Sequence, residues 1–570
     1  MSHSLKRFAA AVTIAVSPFV FRIEASKAAS FDLIDATVSD INSAFDSGTL
    51  TSEQLVNLYI NRINTFDKAG SKPLNSIVTI NPQAVETAKA LDIERQTTGA
   101  RSPLHGIPLI VKDNYDTFDL PTTGGSLSLA GSIPPDDAFQ VRKLREAGAI
   151  VLAKSNMAEF AFSPNVTVSS ILGTTRNPYD LDRVPAGSSG GTAAAVAANF
   201  GTLGLGTDTG NSIRGPSSHT ALVGIRSTIG LTSRDGIVPL FLPRDIGGPM
   251  VRTVADAALV LSTIAGYDPA DPSTEAVKGV DLPDYTAFLN AKGLEGSRIG
   301  VVDQLFRPTA ENDFTSTADP EIRSLMDRAI TDLAEQGATV ESVGIPNLTD
   351  LYRASFDGGN TFNYDINRYL ESRGPDVPVK TLDDIIESGL FDPSIEGALL
   401  NSAEVGDVPP ESRDDFLAAE AARQNMREIV LSIMNSGEYD ALIYPTWSNS
   451  PRLIGDLESP SGNNSFQIAP PTGFPALTVP MGFTVDDTLP AGLQFLGRPF
   501  DEGRLIELAY SYEQSTQYRR PPELFPALAG DKIESESIPE PGVELALVIL
   551  GAGLIVAGTT KKKQVTVCND

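Results

Sequence analysis

Apolar and polar positions along the chain follow two different periods. Stretches at 30–47, 51–65 and 83–96 repeat apolar residues at helical spacing. The second, TSEQLVNLYINRI, opens with Thr51 and carries a glutamate soon after, the layout of a helix start. Short apolar runs then alternate with helical patterns. GIPLIVKDN (106–114) reads as a buried strand ending in polar residues, and DAFQVRKLREAGAIVLAKSNM (137–157) as helix, glycine, strand. GSRIGVVDQ (296–304), ADPEIRSLMDRAITDLAEQGATVESV (318–343) and YDALIYPT (439–446) continue the theme. This alternation predicts an α/β fold around a largely buried sheet. No linker interrupts 30–525, and the Pro- and acid-rich segments 270–290 and 395–412 read as surface excursions.

The two ends follow another pattern. Residues 1–29 place Lys6 and Arg7 before an apolar run from Phe8 to Phe21, with small residues at Ala28 and Ala29. That is the layout of a secretory signal and its cleavage site, an amphipathic N-terminal arm being the alternative. Residues 526–570 hold an acidic linker, an apolar stretch from Leu545 to Gly558, and the basic cluster Lys561, Lys562 and Lys563. The apolar stretch is shorter than the ~20 residues of a spanning helix. With Pro539-Glu540-Pro541 ahead of it, the arrangement resembles the PEP-CTERM sorting signal of exported proteins. It departs from that signal in Glu544, at the start of the apolar run, and in the seven residues that follow the lysines. An ordinary membrane anchor or a packed helix is the other reading. Together the ends predict an exported protein of the cell envelope or exterior, with membrane or sorting-machinery contact through the tail.

Charge and composition narrow the function. Lys plus Arg number 44 against 72 Asp plus Glu, a formal net charge of −28. Nucleic-acid binding relies on a basic surface, so this balance argues against it. The single cysteine, Cys568, allows no intrachain disulfide and no cysteine zinc site. The only histidines are His3, His105 and His219.

Two small-residue clusters carry candidate chemistry. PAGSSGGTAAAVAAN (185–199) is a Gly/Ser loop running into an Ala-rich helix, and it lacks the Gly-Lys-Ser/Thr ending of a phosphate loop. Its Gly187-Ser188-Ser189-Gly190-Gly191 fits a nucleophile elbow with Ser189 at the tip. An elbow serine needs a later histidine, and only His219 follows, thirty residues on. A Ser-His-Asp machine therefore fits poorly. Another base is then required, and a desolvated lysine can act as one. Lys112 ends the run GIPLIV, at the strand end where α/β sites form. A lysine simply emerging into solvent is the plainer reading of that position. The second cluster, GTDTGNSIRG (206–215), sets small residues around Ser212.

These segments together resemble the amidase signature family. GIPLIVKDN, PAGSSGGTAAAVAA, GTDTGNSIRGP and VGIRSTIGLTSRDGIVP stand in the family's order and spacing, and FPALTVPMGF (474–483) and GLQFLGRPFDEGRLIELAYSYEQ (492–514) agree with it. The resemblance covers nearly all of 30–520. It implies a large mixed, mostly parallel open sheet flanked by helices. It also implies a Ser–cis-Ser–Lys triad with Lys112 as base, Ser188 as bridging serine and Ser212 as nucleophile. The backbone N–H groups of Thr209, Gly210, Asn211 and Ser212 would form the oxyanion hole. Asp208 and Arg214 would brace the loop, Ser189 would support Lys112 from behind, and His219 would be a satisfied structural residue. No metal or organic cofactor is implied. The substrate would be a small-molecule or peptide amide, cleaved in two steps through an acyl-serine. The alternatives are a catalytically silent envelope protein and an amidase component of an amidotransferase.

Three positions depart from the family. Asn211 replaces the second glycine of a Gly-Gly pair, so its side chain is expected to intrude on the site; asparagine would suit a positive φ there. Ala186 replaces glycine, a mild change. Gly215 stands where a bulkier apolar residue is common. Met157 and Phe160 are candidates for the pocket wall or for the core.

Overall fold

The computed structural model describes residues 30–307, 318–356 and 359–534. Among these, five buried residues, Pro108–Lys112, run between Ile150–Ser155 and Leu203–Thr207 and parallel to both. On the far side of the same 11-stranded sheet, Arg298–Val302 lies parallel between Thr339–Val343 and Ala441–Pro445. Antiparallel pairs join the two blocks. Gly247–Val251 pairs with Leu203–Thr207 and Val223–Arg226, and Ala476–Thr484 pairs with Val223–Arg226 and Leu489–Leu496. Leu489–Leu496 also pairs with Ala441–Pro445. The chain thus builds the expected large mixed sheet flanked by helices. Continuous apolar runs such as LIV suit strands covered on both faces. The wholly buried helix Gly190–Ala197 lies against Pro108–Lys112 and Leu203–Thr207.

Three local expectations change. The 30–47 pattern splits into a strand, Ser30–Asp32, and a helix, Val38–Asp46, because Thr37 and Asp40 close a capping box that starts the helix late. The next helix, Ser52–Phe66, is capped by Thr51 with Gln54, not the neighbouring Glu53, as the reciprocal partner. Segment 395–412 is not merely an excursion. It contains the helix Glu396–Val405, which buries Leu399 and Ser402 against the helices Phe362–Ser372 and Leu382–Ser388. Acidic residues and flanking prolines mask an apolar face that sparse.

That helical layer fixes the loop after Lys112. Phe362, Ile366 and Leu370 form a core with Phe160 and Val238. Tyr369 donates to Asp116 Oδ1 (2.7 Å), and Arg373 pairs with the other oxygen of the same carboxylate. Phe160 meets Phe362 edge-on at 5.8 Å, and Met157 is fully buried, so both belong to the core.

Phe31–Ile533 forms one unit. It extends past 525 because Asp531 accepts from Arg62 Nη1 at 2.5 Å in a fully buried pair, while Arg62 Nη2 holds the Phe525 carbonyl. The expected export signal (1–29), the Pro539-Glu540-Pro541 motif and the basic tail lie outside the described residues.

Candidate active site

Lys112 reaches the site because its strand is buried to the last residue. Register pairs Val111 with Leu205, which brings the lysine beside Thr207 at the end of the neighbouring strand. Lys112 Nζ donates to Thr207 Oγ1 (2.6 Å) and lies 2.7 Å from Ser188 Oγ. Burial pushes its pKa down to about 7, although Asp208 and Asp245 pull it upward. An amine so placed exchanges a proton with a hydroxyl near neutrality.

Ser188 follows a cis Gly187–Ser188 peptide bond. A side chain at Gly187 would put Cβ 2.4 Å from the Val166 carbonyl oxygen and 2.5 Å from that of Ser163, so only glycine fits this approach of backbone to backbone. Ala186 is a larger departure than the sequence suggests. It sits at φ +66°, a conformation costly for a residue with a Cβ, and its carbonyl is held by Thr167 Oγ1 (2.8 Å).

Ser189 stands one residue further on, where the helix Gly190–Ala197 begins. Its hydroxyl donates to the Thr207 carbonyl (3.2 Å) and accepts from the Thr207 N–H (3.3 Å). Ser189 therefore reaches Lys112 only through Thr207. Neither described histidine serves it. His105 Nε2 is 2.9 Å from the Leu91 carbonyl, and the His219 ring packs on Trp447 at 4.7 Å. The His219 side chain is buried as a structural residue, and burial drives its pKa down to about 3, with the Asn449 backbone pulling the other way.

Asp208 closes the loop that carries Ser212. Its Oδ2 accepts from the N–H of Ile213 (3.3 Å) and Arg214 (3.4 Å), and both guanidinium groups of Arg214 and Arg226 reach it (3.0 and 3.2 Å). All three side chains are fully buried. Burial raises the carboxyl pKa, but the two arginines outweigh that and hold it below the ordinary carboxylate range. Arg214 also donates to the Gly210 carbonyl within the loop, to the Ser465 carbonyl and to Gln494 of the strand Leu489–Leu496, which ties the loop to later parts of the chain. Thr209 Oγ1 donates to Asp245 Oδ1 (2.5 Å).

Ser212 is 4% exposed. The backbone N–H groups of Thr209, Gly210, Asn211 and Ser212 donate to no acceptor among the described residues. Consecutive free N–H groups in a turn form a ready anion cradle.

The φ of Asn211 is not positive. Its Nδ2 donates to the carbonyls of Gly187 (3.0 Å) and Pro164 (3.2 Å), so it fastens the Ser212 loop to the Ser188 loop.

Sequence reasoning misses Thr207, Asn114 and Asp245. Asn114 Nδ2 donates to Thr207 Oγ1 (3.1 Å), so one hydroxyl orients both Lys112 and Asn114. The only signal was position: Thr207 and Asn114 both flank strand ends. Lys154, also buried at a strand end, has a different role. It donates to the Tyr115 carbonyl (2.6 Å) and Thr122 Oγ1 (2.9 Å) and lies 3.6 Å from Asp113. It is a clamp on the loop after Lys112.

The chain is similar to known proteins along most of its length. The family model described as Amidase matches residues 54–506. The chain is 33% identical to a probable amidase of Arabidopsis thaliana, over 87% of this chain and 92% of that one. It is 36% identical to a glutamyl-tRNA(Gln) amidotransferase subunit from Moorella thermoacetica, over 86% and 99%. Among solved structures, the native peptide amidase from Stenotrophomonas maltophilia superposes with a TM-score of 0.76 at 36% identity, covering 86% of this chain and 99% of that one.

Proposed function

Because the chain belongs to the amidase family and hydrolyses an amide C–N bond, we propose that Ser212 is its nucleophile, Ser188 its proton relay and Lys112 its base. Ser212 attacks the amide carbonyl, and its proton passes through Ser188 to neutral Lys112. The C–O bond forms as the carbonyl π electrons move onto oxygen. That oxyanion is received by the N–H groups of Thr209, Gly210, Asn211 and Ser212. Collapse breaks the C–N bond, and Lys112 returns the proton through Ser188 to the leaving amine or ammonia. Water then attacks the acyl-serine by the same relay and releases the acid.

The observation that carries this reading is the contact of buried Lys112 with Ser188, beside four unpaired N–H groups around Ser212. The Asn211 amide, engaged by the Gly187 and Pro164 carbonyls beside an intact Lys112–Ser188 contact, speaks against a silent protein. Labelling with a fluorophosphonate, followed by peptide mass spectrometry, tests it. Label on Ser212 that disappears in Lys112→Ala is expected; label on Ser189 overturns it.

The substrate is a small-molecule or peptide amide. We favour a free amide over service to a tRNA-linked complex, although relatives of both kinds match at 36% identity. A net charge of −28 disfavours work beside tRNA. Similarity to a peptide amidase, also solved in complex with the competitive inhibitor chymostatin, supports a peptide amide as one candidate.

We also propose that the enzyme is exported. The support is the Lys6-Arg7 and Phe8–Phe21 pattern together with the Pro-Glu-Pro, apolar and triple-lysine tail. N-terminal sequencing of the protein from its native host tests this: a mature chain starting near Ala29 is expected, and an intact Met1 with cytoplasmic fractionation refutes it.

A further inference from the structure

Arg244 is a buried cation with no acceptor among the described residues. It is 7% exposed, its Nε is buried without a partner, and no hydrogen bond or ion pair engages its guanidinium among the described residues. Buried guanidinium groups are ordinarily paired, and leaving one unpaired is costly. What it does have is aromatic contact: its Cζ stands 4.5 Å from the Phe241 ring centroid and 4.6 Å from that of Phe356. Phe356 is 48% exposed, so this cation sits just beneath a surface that a solute can reach.

The neighbouring charges do not satisfy it. Asp245 spends its oxygens on Thr209 Oγ1 and on the N–H groups of Leu240 and Phe241. Arg423 is paired with Glu420, and Arg226 with Asp208. Burial, followed by the repulsion of Arg423, brings the Arg244 pKa down to about 10, which leaves it charged at neutrality.

Arg244 is also tied to the Ser212 loop. Its carbonyl accepts from Arg226 Nη2 (2.9 Å), whose Nη1 holds the Asp208 carbonyl. Its chain neighbour Asp245 holds Thr209. On the other side, Phe356 contacts Tyr352 (5.6 Å), Tyr352 contacts Phe466 (5.0 Å), and Phe466 borders Gly210. An aromatic wall therefore leads from the nucleophile loop to this cation.

We propose that Arg244 determines specificity by binding a carboxylate carried by the substrate, so that the preferred substrates are acidic amides. With ring contacts to two phenylalanines, what remains for a ligand is the N–H edge of the guanidinium, which matches a planar carboxylate. The proposal rests on the amidase reading, and its test separates the two.

Monoamides of dicarboxylic acids, from succinamate to adipamate, are compared with the corresponding diamides. The wild type is expected to favour the best monoamide in kcat/KM by about tenfold or more, mainly through KM. Arg244→Gln should lose that advantage, and Arg244→Lys should retain part of it. Equal advantage in wild type and Arg244→Gln, or none in the wild type, overturns the proposal. Binding is read without turnover from the fluorescence of Trp447, the one tryptophan, which lies against Gly215. Titration with the matching dicarboxylates should saturate in the wild type and in Ser212→Ala, and weaken about tenfold in Arg244→Gln. No saturable response in the wild type overturns the proposal. Turnover that survives in Ser212→Ala overturns the catalytic assignment while leaving the binding result standing.

Discussion

The Asn211 side chain occupies the space that a side chain at Gly215 would need. A Cβ built on Gly215 would lie 2.7 Å from Asn211 Nδ2 and 2.7 Å from Trp447 Cζ3, and the Gly215 N–H donates to the Asn211 carbonyl at 2.7 Å. Two departures from the family pattern are therefore one accommodation. Gly215→Ile should displace the Asn211 amide from the Gly187 and Pro164 carbonyls and lower stability by about 1–3 kcal/mol. In Asn211→Gly/Gly215→Ile the loss should be smaller than the sum of the two single losses. Thermal melts of the four proteins measure this coupling, and additive losses would show the two positions to be independent.

Lys112 makes opposite demands on activity and stability. With a pKa near 7 it becomes a proton-loaded, inactive base as pH falls, so kcat/KM should lose its value along an acidic limb centred near 7. For stability, the folded pKa lies below the ordinary 10.5, so unfolding takes up a proton between about 7 and 10.5. Stability should rise with pH through that window. Lys112→Met should abolish turnover yet melt higher than wild type at pH 6, by an amount worth a few kcal/mol, roughly, that shrinks toward pH 10. Paired melting curves at several pH values check the sign.

Much of this was legible in the chain because the motifs are local. The loops that carry Ser188 and Ser212, and the strand that ends at Lys112, are each contiguous. Thr207 was not legible in the same way. Its bond to Lys112 joins residues 95 positions apart and depends on the Val111–Leu205 register, which no local period encodes. Asp245 is hidden for the same reason, since it meets Thr209 from 36 positions away. The direction of Asn211 depends on two carbonyls from distant loops. The helix Glu396–Val405 escaped because it buries so few apolar residues that its face cannot be told from a solvated one.

Asp208 should be among the least replaceable residues. It neutralises two buried arginines and bonds two N–H groups of the loop. Asp208→Asn leaves those cations underpaired, a loss of about 3–5 kcal/mol. Its carboxyl pKa is depressed by folding, so its contribution is present above the ordinary value of 3.8 and fades only as pH falls through the lower folded value. The difference in urea midpoint between wild type and Asp208→Asn should therefore persist from pH 5 to 8 and be larger below about 7, where Asp208 also offsets the charge of protonated Lys112; a difference that vanishes by pH 6 contradicts this account.

Adjacent serines separate the relay from the elbow. Ser188 Oγ is 2.7 Å from Lys112 Nζ, whereas Ser189 Oγ bonds only the Thr207 backbone. Ser188→Ala interrupts the proton path and should lower kcat about 10²–10⁴-fold. Ser189→Ala removes a hydrogen bond behind Thr207, costing about 1 kcal/mol of stability. Its effect on kcat should stay within about tenfold, because Lys112 keeps its contact with Ser188. Steady-state kinetics on one amide, with melting temperatures alongside, rank the pair. The reverse ranking would return the nucleophile's role to Ser189 and require a base other than the two described histidines, whose rings are engaged with Leu91 and Trp447.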